Sequence, residues 1–296
     1  MVHQSINFSS ANDVYAILIK ASKTLKNSPL RQGCTVHLPS NGRLLVTGDL
    51  HDNPINLEKA IRQAELHSPE NHILLQELIH STDESKAFDL SYRMLVRVAF
   101  VIAQHPNQVH PILANHELSQ ATGCEITKRG AGLVGRFNSG VKHVFGKDAT
   151  LVLKAIDEFI FSMPLAVKTK SGLMCLHSLP NKLSMNHYDP KIINRDMTAK
   201  DFQTNTGSAY LTVWGRKHGP QQIKMLKKQW GVALFCLGHA LVPNGIKKLS
   251  DDVILLNSDH HNGVVLPIQL GLISCASKTM QSAVRLNSIP LEPLDF

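Results

Sequence analysis

The sequence predicts an α/β fold, and two observations carry this prediction. Short apolar runs of the length of buried strands alternate with helix-length amphipathic segments, an order typical of right-handed crossovers and a largely parallel sheet. In addition, several apolar runs end directly in histidine, asparagine or acidic residues. Such residues at the carboxyl ends of successive strands are what an α/β sheet uses to build a site.

The first half of the chain is predicted to contain three helices, over residues 12–25, 55–66 and 86–104. The first helix has Asn12 or Ser10 as its N-cap, and all three carry apolar residues at helical spacing. An Asn41-Gly42 turn separates the apolar runs 35–38 and 43–46, which predicts a β-hairpin.

The second half is predicted to be richer in strands and antiparallel. A helix is expected over 151–161, a second hairpin over 166–176 around Lys170-Ser171-Gly172, and a helix over 220–230 behind Pro220. Further strands are expected over 253–256, 263–266 and 271–273. Since no linker, repeat or low-complexity run interrupts the chain, residues 1–296 are predicted to form a single domain.

The chain of 296 residues has a formal net charge of +8 and 43% hydrophobic residues, which is an ordinary globular composition with ample core. A basic chain invites nucleic acid as a partner, but its positive residues are dispersed. Lys224, Lys227 and Lys228 have the spacing of one solvated helix face. Nucleic acid is therefore possible but not favoured, and the charge also suits a phosphorylated substrate.

The sequence points to a cytoplasmic protein. No apolar run has the length needed to cross a bilayer, and the N-terminus lacks the pattern of a signal peptide. The five cysteines are scattered and form no C-x-x-C pair, which indicates neither a disulfide framework nor a zinc ribbon. The sequence does not determine the oligomeric state.

Five motifs stand at the ends of apolar runs. In chain order they are Asp49-Leu50-His51, Gln76-Glu77, Asn115-His116-Glu117, His177 and Gly238-His239. Each has an ordinary structural explanation when taken alone: His177 as a core imidazole, Asn115 as a turn residue, and Glu77 as a helix-start carboxylate. Their joint order at strand ends favours a shared site for divalent metal.

The five motifs together resemble the calcineurin-like metallophosphoesterases, over roughly residues 44–260. The Trp214-Gly215-Arg216 segment, and Leu241 where other branches have a second histidine after Gly238-His239, make the chain most similar to the phosphoprotein phosphatase branch. The resemblance implies a β-sandwich core flanked by helices, in four layers (αββα).

The resemblance also implies the roles of the residues. Asp49 and His51 would bind a first ion, Glu77 would bridge, and Asn115, His177 and His239 would bind a second ion. His116 would be the general acid with His80 as its partner, and Arg216 and Asn115 would bind the substrate phosphate. The implied cofactors are two divalent transition metal ions (manganese, iron or zinc), and the implied reaction is attack of a metal-bound hydroxide on a phosphomonoester.

The second motif departs from the family pattern Gly-Asp-x-x-Asp. Gln76 replaces the glycine, Glu77 is one methylene longer than the aspartate, and His80 replaces the aspartate that orients the general acid. Ser81 stands where the family has an arginine, and Asp83 or Glu84 are alternative partners for His116. Arg136 and Arg129 are weaker phosphate candidates than Arg216, and Asn138-Ser139-Gly140 reads as a turn.

Two functions follow from this pattern. The first is an active metal-dependent phosphatase acting on a phosphorylated small molecule or a phosphoserine/phosphothreonine protein. The second is a catalytically degenerate module that binds metal or a phosphorylated ligand in a regulatory or scaffold role. The intact set of ligand residues favours the first, whereas the altered second motif favours the second.

Overall fold

The computed structural model describes residues 6–81, 88–128 and 131–291. Within these ranges the chain forms two β-sheets that pack face to face and are flanked by helices, which confirms the predicted α/β sandwich. Asp83, Glu84 and Arg129, named above as alternative partners or phosphate ligands, lie outside the described residues.

Nine α-helices lie within the described residues: α1 Ala11–Lys26, α2 Pro54–Ala64, α3 Tyr92–Gln104, α4 Asn115–Thr122, α5 Leu133–Phe145, α6 Ala149–Ser162, α7 Ser208–Trp214, α8 Pro220–Trp230 and α9 Ala276–Thr279. Helix α1 begins where the Ser10 hydroxyl accepts a hydrogen bond from the Asp13 amide, so the predicted cap is confirmed. Helix α8 coincides with its predicted range.

The larger sheet has seven strands. In spatial order they are β1 Arg31–Gln32, β2 Thr35–Leu38, β8 Ala166–Thr169, β9 Leu173–Leu176, β10 Leu234–Leu237, β12 Val253–Leu256 and β11 Ile246–Ser250. Strands β9, β10 and β12 are parallel to one another, whereas β8 pairs antiparallel with β9 in the second hairpin predicted above. The carboxyl ends of β9 and β10 therefore lie side by side at one edge.

The smaller sheet has five strands. In spatial order they are β14 Val284–Arg285, β13 Val264–Gln269, β3 Arg43–Asp49, β4 His72–Gln76 and β5 Val109–Ile112. Strands β3, β4 and β5 are parallel, and β13 runs antiparallel to β3. A separate two-stranded ribbon pairs β6 Thr127–Lys128 with β7 Ala131–Gly132.

Alternation along the strands divides the core into two layers. Leu44 and Val46 of β3 pack into the layer between the sheets, together with Leu173 and Cys175 of β9. Leu45 of β3 points the opposite way, into the larger layer that the helices cover. Because successive side chains of a strand point to opposite faces, a strand that is buried on both faces has a continuous apolar run.

The hairpin predicted around Asn41-Gly42 is wrong. Strands β2 and β3 flank that turn, but β2 pairs with β8 in the larger sheet and β3 pairs with β4 and β13 in the smaller sheet. Val36 and Val46 instead meet in the layer between the sheets. The turn signal identified a reversal of the chain correctly, but it carried no information about which sheet each strand would join.

Other sequence expectations need correction. Residues 271–273 form no strand, and α3 begins at Tyr92 rather than near residue 86. Asn138 lies inside α5, not in a turn. Gly140 lies in the same helix, and glycine is needed there because a Cβ would lie 2.1 Å from the Asp89 carbonyl oxygen. The second half is mixed rather than antiparallel, because helices return the chain between β9 and β10.

The lysines of α8 agree with the solvated helix face that the sequence predicted. Lys224 and Lys228 of α8 are exposed, and Lys227 forms an ion pair with Asp252. Within the described residues, no helix combines the length and the apolar character that a membrane crossing requires.

Candidate metal centre

Five strands deliver the candidate ligands to one rim of the sandwich. Asp49 is the last residue of β3, Glu77 directly follows β4, and Asn115 opens α4 just beyond β5. His177 directly follows β9, and His239 comes two residues after the end of β10. Because the strands in each sheet are parallel here, ligands that are distant in sequence share one edge of the two sheets.

The backbone at this rim is unusually bent. His51, Glu77, His80 and His239 all have positive φ angles, of 41°, 46°, 62° and 62°. Non-glycine residues in this left-handed region cost about 1–3 kcal/mol each, and such residues cluster at functional sites.

A first group of donor atoms converges on His177. Its Nε2 lies 2.7 Å from Asn115 Oδ1, 3.1 Å from Glu77 Oε2 and 3.2 Å from His239 Nδ1. Gln76 Nε2 donates to the Thr47 carbonyl oxygen, which turns Gln76 Oε1 toward His177 Nδ1 at 3.0 Å. His177 therefore carries its proton on Nδ1, and the lone pair on Nε2 faces three other electron-rich atoms.

A second group lies on the other side of the same carboxylate. His116 Nε2 is 3.2 Å and His51 Nε2 is 3.9 Å from Glu77 Oε1. His51 Nδ1 lies 3.4 Å from the Ile79 carbonyl oxygen, so Nδ1 carries the proton there as well. Among the described His, Cys, Asp and Glu residues, two groups of three can hold an ion: His51–Glu77–His116 and Glu77–His177–His239.

Asp49 lies between the two sheets at the floor of the centre. Its Oδ1 accepts a hydrogen bond from the His239 amide at 2.9 Å and lies 3.7 Å from His177 Nδ1. A Cβ at Gly238 would lie 2.4 Å from this oxygen and 2.6 Å from Gln76 Oε1, so glycine is required at that position. Asp49 and Gln76 thus fix the start of the segment that carries His239.

The two buried carboxylates have opposite electrostatic surroundings. Burial would raise the pKa of Glu77, but His177, His116 and His51 outweigh it and hold that pKa well below its ordinary value. Burial and the neighbouring Glu77 raise the pKa of Asp49 well above its ordinary value. Negative charge therefore concentrates on Glu77, the carboxylate shared by both groups.

Burial favours the neutral form of two histidines of the centre, His239 and His116. Burial lowers the pKa of His239 to about 2, and His177 adds to this effect. Burial also lowers the pKa of His116 well below its ordinary value, although Glu77 opposes it. Neutral imidazoles offer a lone pair, which is the form that binds a metal ion.

A hydrogen-bonded chain of neutral groups supports His116. Its Nδ1 lies 3.1 Å from His80 Nδ1, His80 Nε2 lies 3.3 Å from Gln120 Oε1, and Gln120 Nε2 donates to Asn138 Oδ1 at 2.8 Å. Burial lowers the pKa of His80, which keeps that ring neutral. His80 is thus in contact with His116, as the sequence predicted, and replaces a carboxylate with an uncharged partner.

Glu117 secures the segment that follows Glu77. Its Oε1 accepts hydrogen bonds from the amides of Leu78 (2.7 Å) and Ile79 (3.2 Å). Burial raises the pKa of Glu117 to about 8, with Glu77 adding to the effect. The side chain therefore holds the bend in place while it carries little of the local negative charge at neutral pH.

The centre forms the floor of a cavity of about 410 Å³. Arg216 lies on its wall, where Nη1 donates to the His239 carbonyl oxygen at 2.8 Å. The remaining wall consists of four apolar and two polar side chains: Ile126, Leu133, Trp214 and Leu241, with Asn257 and Asp259. Arg136 of α5 is not among the residues that line this cavity.

The donor set fits divalent transition metals. Imidazole nitrogens together with carboxylate and amide oxygens suit manganese, iron or zinc. His177 Nε2 and His239 Nδ1 face each other at 3.2 Å with Asn115 Oδ1 nearby, an arrangement of lone pairs that a cation stabilises. Ligands about 2.1 Å from one ion lie about 3–4 Å apart, a range that includes the 3.2 Å between His177 Nε2 and His239 Nδ1 but not the shorter 2.7 Å between His177 Nε2 and Asn115 Oδ1.

The structure places nine of the sequence-predicted site residues close together: Asp49, His51, Glu77, His80, Asn115, His116, His177, Arg216 and His239. Arg136 is not among them. The structure adds residues that sequence reasoning missed: Gln120 and Asn138 behind His80, and Asn257 and Asp259 on the cavity wall. Gln120 could have been found, since it lies one helical turn after His116. Gln76 was noted as an altered residue, but its contact with His177 was not foreseen.

Comparison with known proteins agrees with this geometry. A family model described as calcineurin-like phosphoesterase matches residues 42–243, so the chain belongs to that family of hydrolases. No curated protein matches the chain.

Solved structures share the fold at low sequence identity. A serine/threonine phosphatase from Saccharomyces cerevisiae, with similarity to human phosphatase PP5, superposes with a TM-score of 0.66 at 14% identity, over 90% of this chain and 85% of that chain. A cold-active protein-tyrosine phosphatase of a psychrophilic Shewanella species gives 0.52 at 11% identity, over 84% and 80%. At this identity the likeness establishes the fold alone.

Proposed function

We propose that the protein is a phosphatase that uses two divalent metal ions to hydrolyse a phosphomonoester. The observation that carries this proposal is the arrangement around Glu77, whose two oxygens face separate groups of imidazole nitrogens. Asp49, His51 and Glu77 would hold one ion; Glu77, Asn115, His177 and His239 would hold the other. When bound, such a pair polarises phosphoryl oxygens and lowers the pKa of a coordinated water.

Arg216 is the proposed phosphate clamp. Its hydrogen bond to the His239 carbonyl oxygen holds the guanidinium at the cavity wall, and its other N–H groups remain for two phosphate oxygens. Asn115 carries an amide NH₂ beside its ligand oxygen and can donate to the same phosphate. Both residues line the cavity, so together they would orient the bound ester.

His116 is the proposed proton donor for the leaving oxygen, with His80 as its partner. This role requires a proton on Nε2 while the substrate is bound. The uncharged His80 stabilises an imidazolium less than a carboxylate would, so we expect slow turnover for esters with poor leaving groups. Turnover of aryl phosphates, whose leaving groups need little protonation, should be affected less.

The test compares the metal-loaded wild type with Arg216→Lys. With 4-nitrophenyl phosphate and added manganese, the wild type should hydrolyse the ester, and Arg216→Lys should raise KM about tenfold because the bidentate contact is lost. Lys217→Ala, at an exposed neighbouring position outside the cavity lining, is the matched control and should behave as the wild type.

The alternative is a degenerate module, favoured by the replacement of the second-motif aspartate with His80. It predicts a protein that binds two ions and inorganic phosphate but releases no 4-nitrophenol above the rate of Glu77→Gln. Phosphoserine and phosphothreonine peptides, tested beside small phosphorylated metabolites, then separate the two proposed substrate classes for an active enzyme.

A further inference from the structure

His116 has the same geometry as His51 and His177, two of the three histidines that the resemblance makes ligands. His51, His116 and His177 each direct Nε2 at an oxygen of Glu77, at 3.9, 3.2 and 3.1 Å. In each ring the other nitrogen, Nδ1, faces a separate hydrogen-bonding partner. A ring held at Nδ1, with Nε2 free, is the usual arrangement of a metal-binding histidine.

The support behind His116 sets the direction of its hydrogen bonds. Gln120 Nε2 donates to Asn138, so Gln120 Oε1 accepts from His80 Nε2. Neutral His80 then has a lone pair on Nδ1, which accepts from His116 Nδ1 at 3.1 Å. The lone pair of His116 is thereby left on Nε2, directed toward Glu77.

The length of Glu77 brings the carboxylate within reach of His116. Aspartate at this position would be shorter by one carbon–carbon bond, about 1.5 Å, and would withdraw its oxygen from the 3.2 Å contact with Nε2. The longer residue at position 77 and the histidine at position 80 are the two departures of the second motif, and both act on His116.

We propose that His116 is a metal ligand in the resting protein, binding the first ion through Nε2 together with His51 and Glu77. The inference rests on the proposed two-metal centre. Since Nε2 has one lone pair, it holds either the ion or a proton. The ligand role and the proton-donor role of His116 therefore exclude each other at any one moment.

The test is a titration of the metal-free full-length chain with Co²⁺, followed by visible absorption and by calorimetry. The wild type should bind two ions. His116→Ala should weaken one of them at least about 100-fold, since loss of an outer partner alone costs about 10–100-fold, and should leave the other ion unchanged. His187→Ala, which removes an exposed imidazole far along the chain, is the matched control.

Two further variants guard against a merely structural effect. His116→Gln keeps a polar side chain of similar length and should weaken the same ion. Gln120→Leu removes the acceptor behind His80 and should weaken that ion about tenfold, with His116 itself intact. Circular dichroism and thermal unfolding of the metal-free variants confirm that each is folded.

A double-mutant cycle with Glu77→Asp tests the role of the longer carboxylate. If Glu77 is what brings His116 to the ion, the effect of His116→Ala on affinity should be smaller in the Glu77→Asp background than in the wild type. Equal effects in the two backgrounds would contradict this part of the inference.

Pulsed electron paramagnetic resonance of Mn²⁺ in ¹⁵N-histidine-labelled protein gives a direct count. His116→Ala should lose one coordinated imidazole nitrogen relative to the wild type, and His187→Ala should lose none. If the count and both affinities are unchanged while phosphatase turnover falls, His116 is a proton donor alone and the inference is overturned, although the two-metal proposal stands. If the wild type binds no ion, both fail.

Discussion

Two groups of histidines lie at opposite ends of strands β4 and β5, and they differ in chemistry; the second group also includes histidines that follow β3, β9 and β10. At the amino end, His72 of β4 and His110 of β5 form a pair, with His72 Nδ1 3.1 Å from His110 Nε2 and 3.2 Å from the Asn107 carbonyl oxygen. At the carboxyl end, the histidines of the metal centre surround Glu77. Each group contains histidines whose pKa is lowered by burial, so burial does not distinguish the two groups.

The difference lies in what the lone pairs face. In the pair, His72 Nδ1 lies close to His110 Nε2 and to a backbone carbonyl oxygen, and His72 Nε2 is buried with no hydrogen-bond partner among the described residues. At the metal centre, bent backbone turns three Nε2 atoms onto one carboxylate. Neither His72 nor His110 belongs to a group of three metal-binding side chains among the described residues. A shared carboxylate, rather than the number of histidines, makes the candidate site.

The largest expected effect is the loss of both ions on removing that carboxylate charge. Glu77→Gln leaves a neutral amide between the two groups, and we expect elemental analysis after desalting to find no retained metal, against two ions per wild-type chain. His110→Gln should retain as much metal as the wild type. Retention of two ions by Glu77→Gln would abolish the distinction drawn between the two histidine groups.

A smaller effect is expected from the residue that orients His177. Gln76→Leu removes the acceptor 3.0 Å from His177 Nδ1, so the ring can change tautomer or rotate. We expect the affinity for one ion, measured by calorimetry, to fall about 10–100-fold. Gln229→Leu, an exposed glutamine on α8, provides the control; equal affinities in the two variants would show that the oriented ring is unimportant.

Metal binding should raise the free energy of unfolding only through the group of histidines around Glu77. At a free metal concentration of 100 times Kd, binding adds about 2.7 kcal/mol per site to the free energy of unfolding. Urea unfolding with and without Mn²⁺ measures this gain, which we expect in the wild type and in His110→Gln but not in Glu77→Gln. A gain in Glu77→Gln equal to that of the wild type would place the binding elsewhere.

The His72–His110 pair should instead affect how the free energy of unfolding depends on pH. Burial and His72 lower the pKa of His110 to about 3, whereas the unfolded chain protonates near 6.5. The contribution of His110 to the free energy of unfolding is therefore fully present above pH 6.5. It falls as the pH falls, by about 2 kcal/mol at pH 5. His110→Gln should reduce the loss between pH 7 and pH 5 in urea unfolding of metal-free protein. An unchanged pH dependence would show that folding does not lower the pKa of His110.

The sequence by itself determined the α/β class, the helices α1, α2, α6 and α8, and a set of candidate site residues. Periodicity specified α1 and α8 nearly to the residue because one amphipathic face and its caps are local properties. The motif order indicated a shared site for the candidate ligands because each one follows an apolar strand, and parallel strands bring their carboxyl ends to a common edge.

Only the tertiary structure decided which strands pair and how the ligands face one another. Strands β2 and β3 are adjacent in sequence but lie in different sheets, since pairing depends on long-range contacts that no local turn encodes. Likewise, the sequence showed Gln76, Glu77 and His80 as departures from a pattern. Their contacts with His177 and His116 depend on side-chain direction across two sheets, to within an ångström, and on bent backbone that residue type does not reveal.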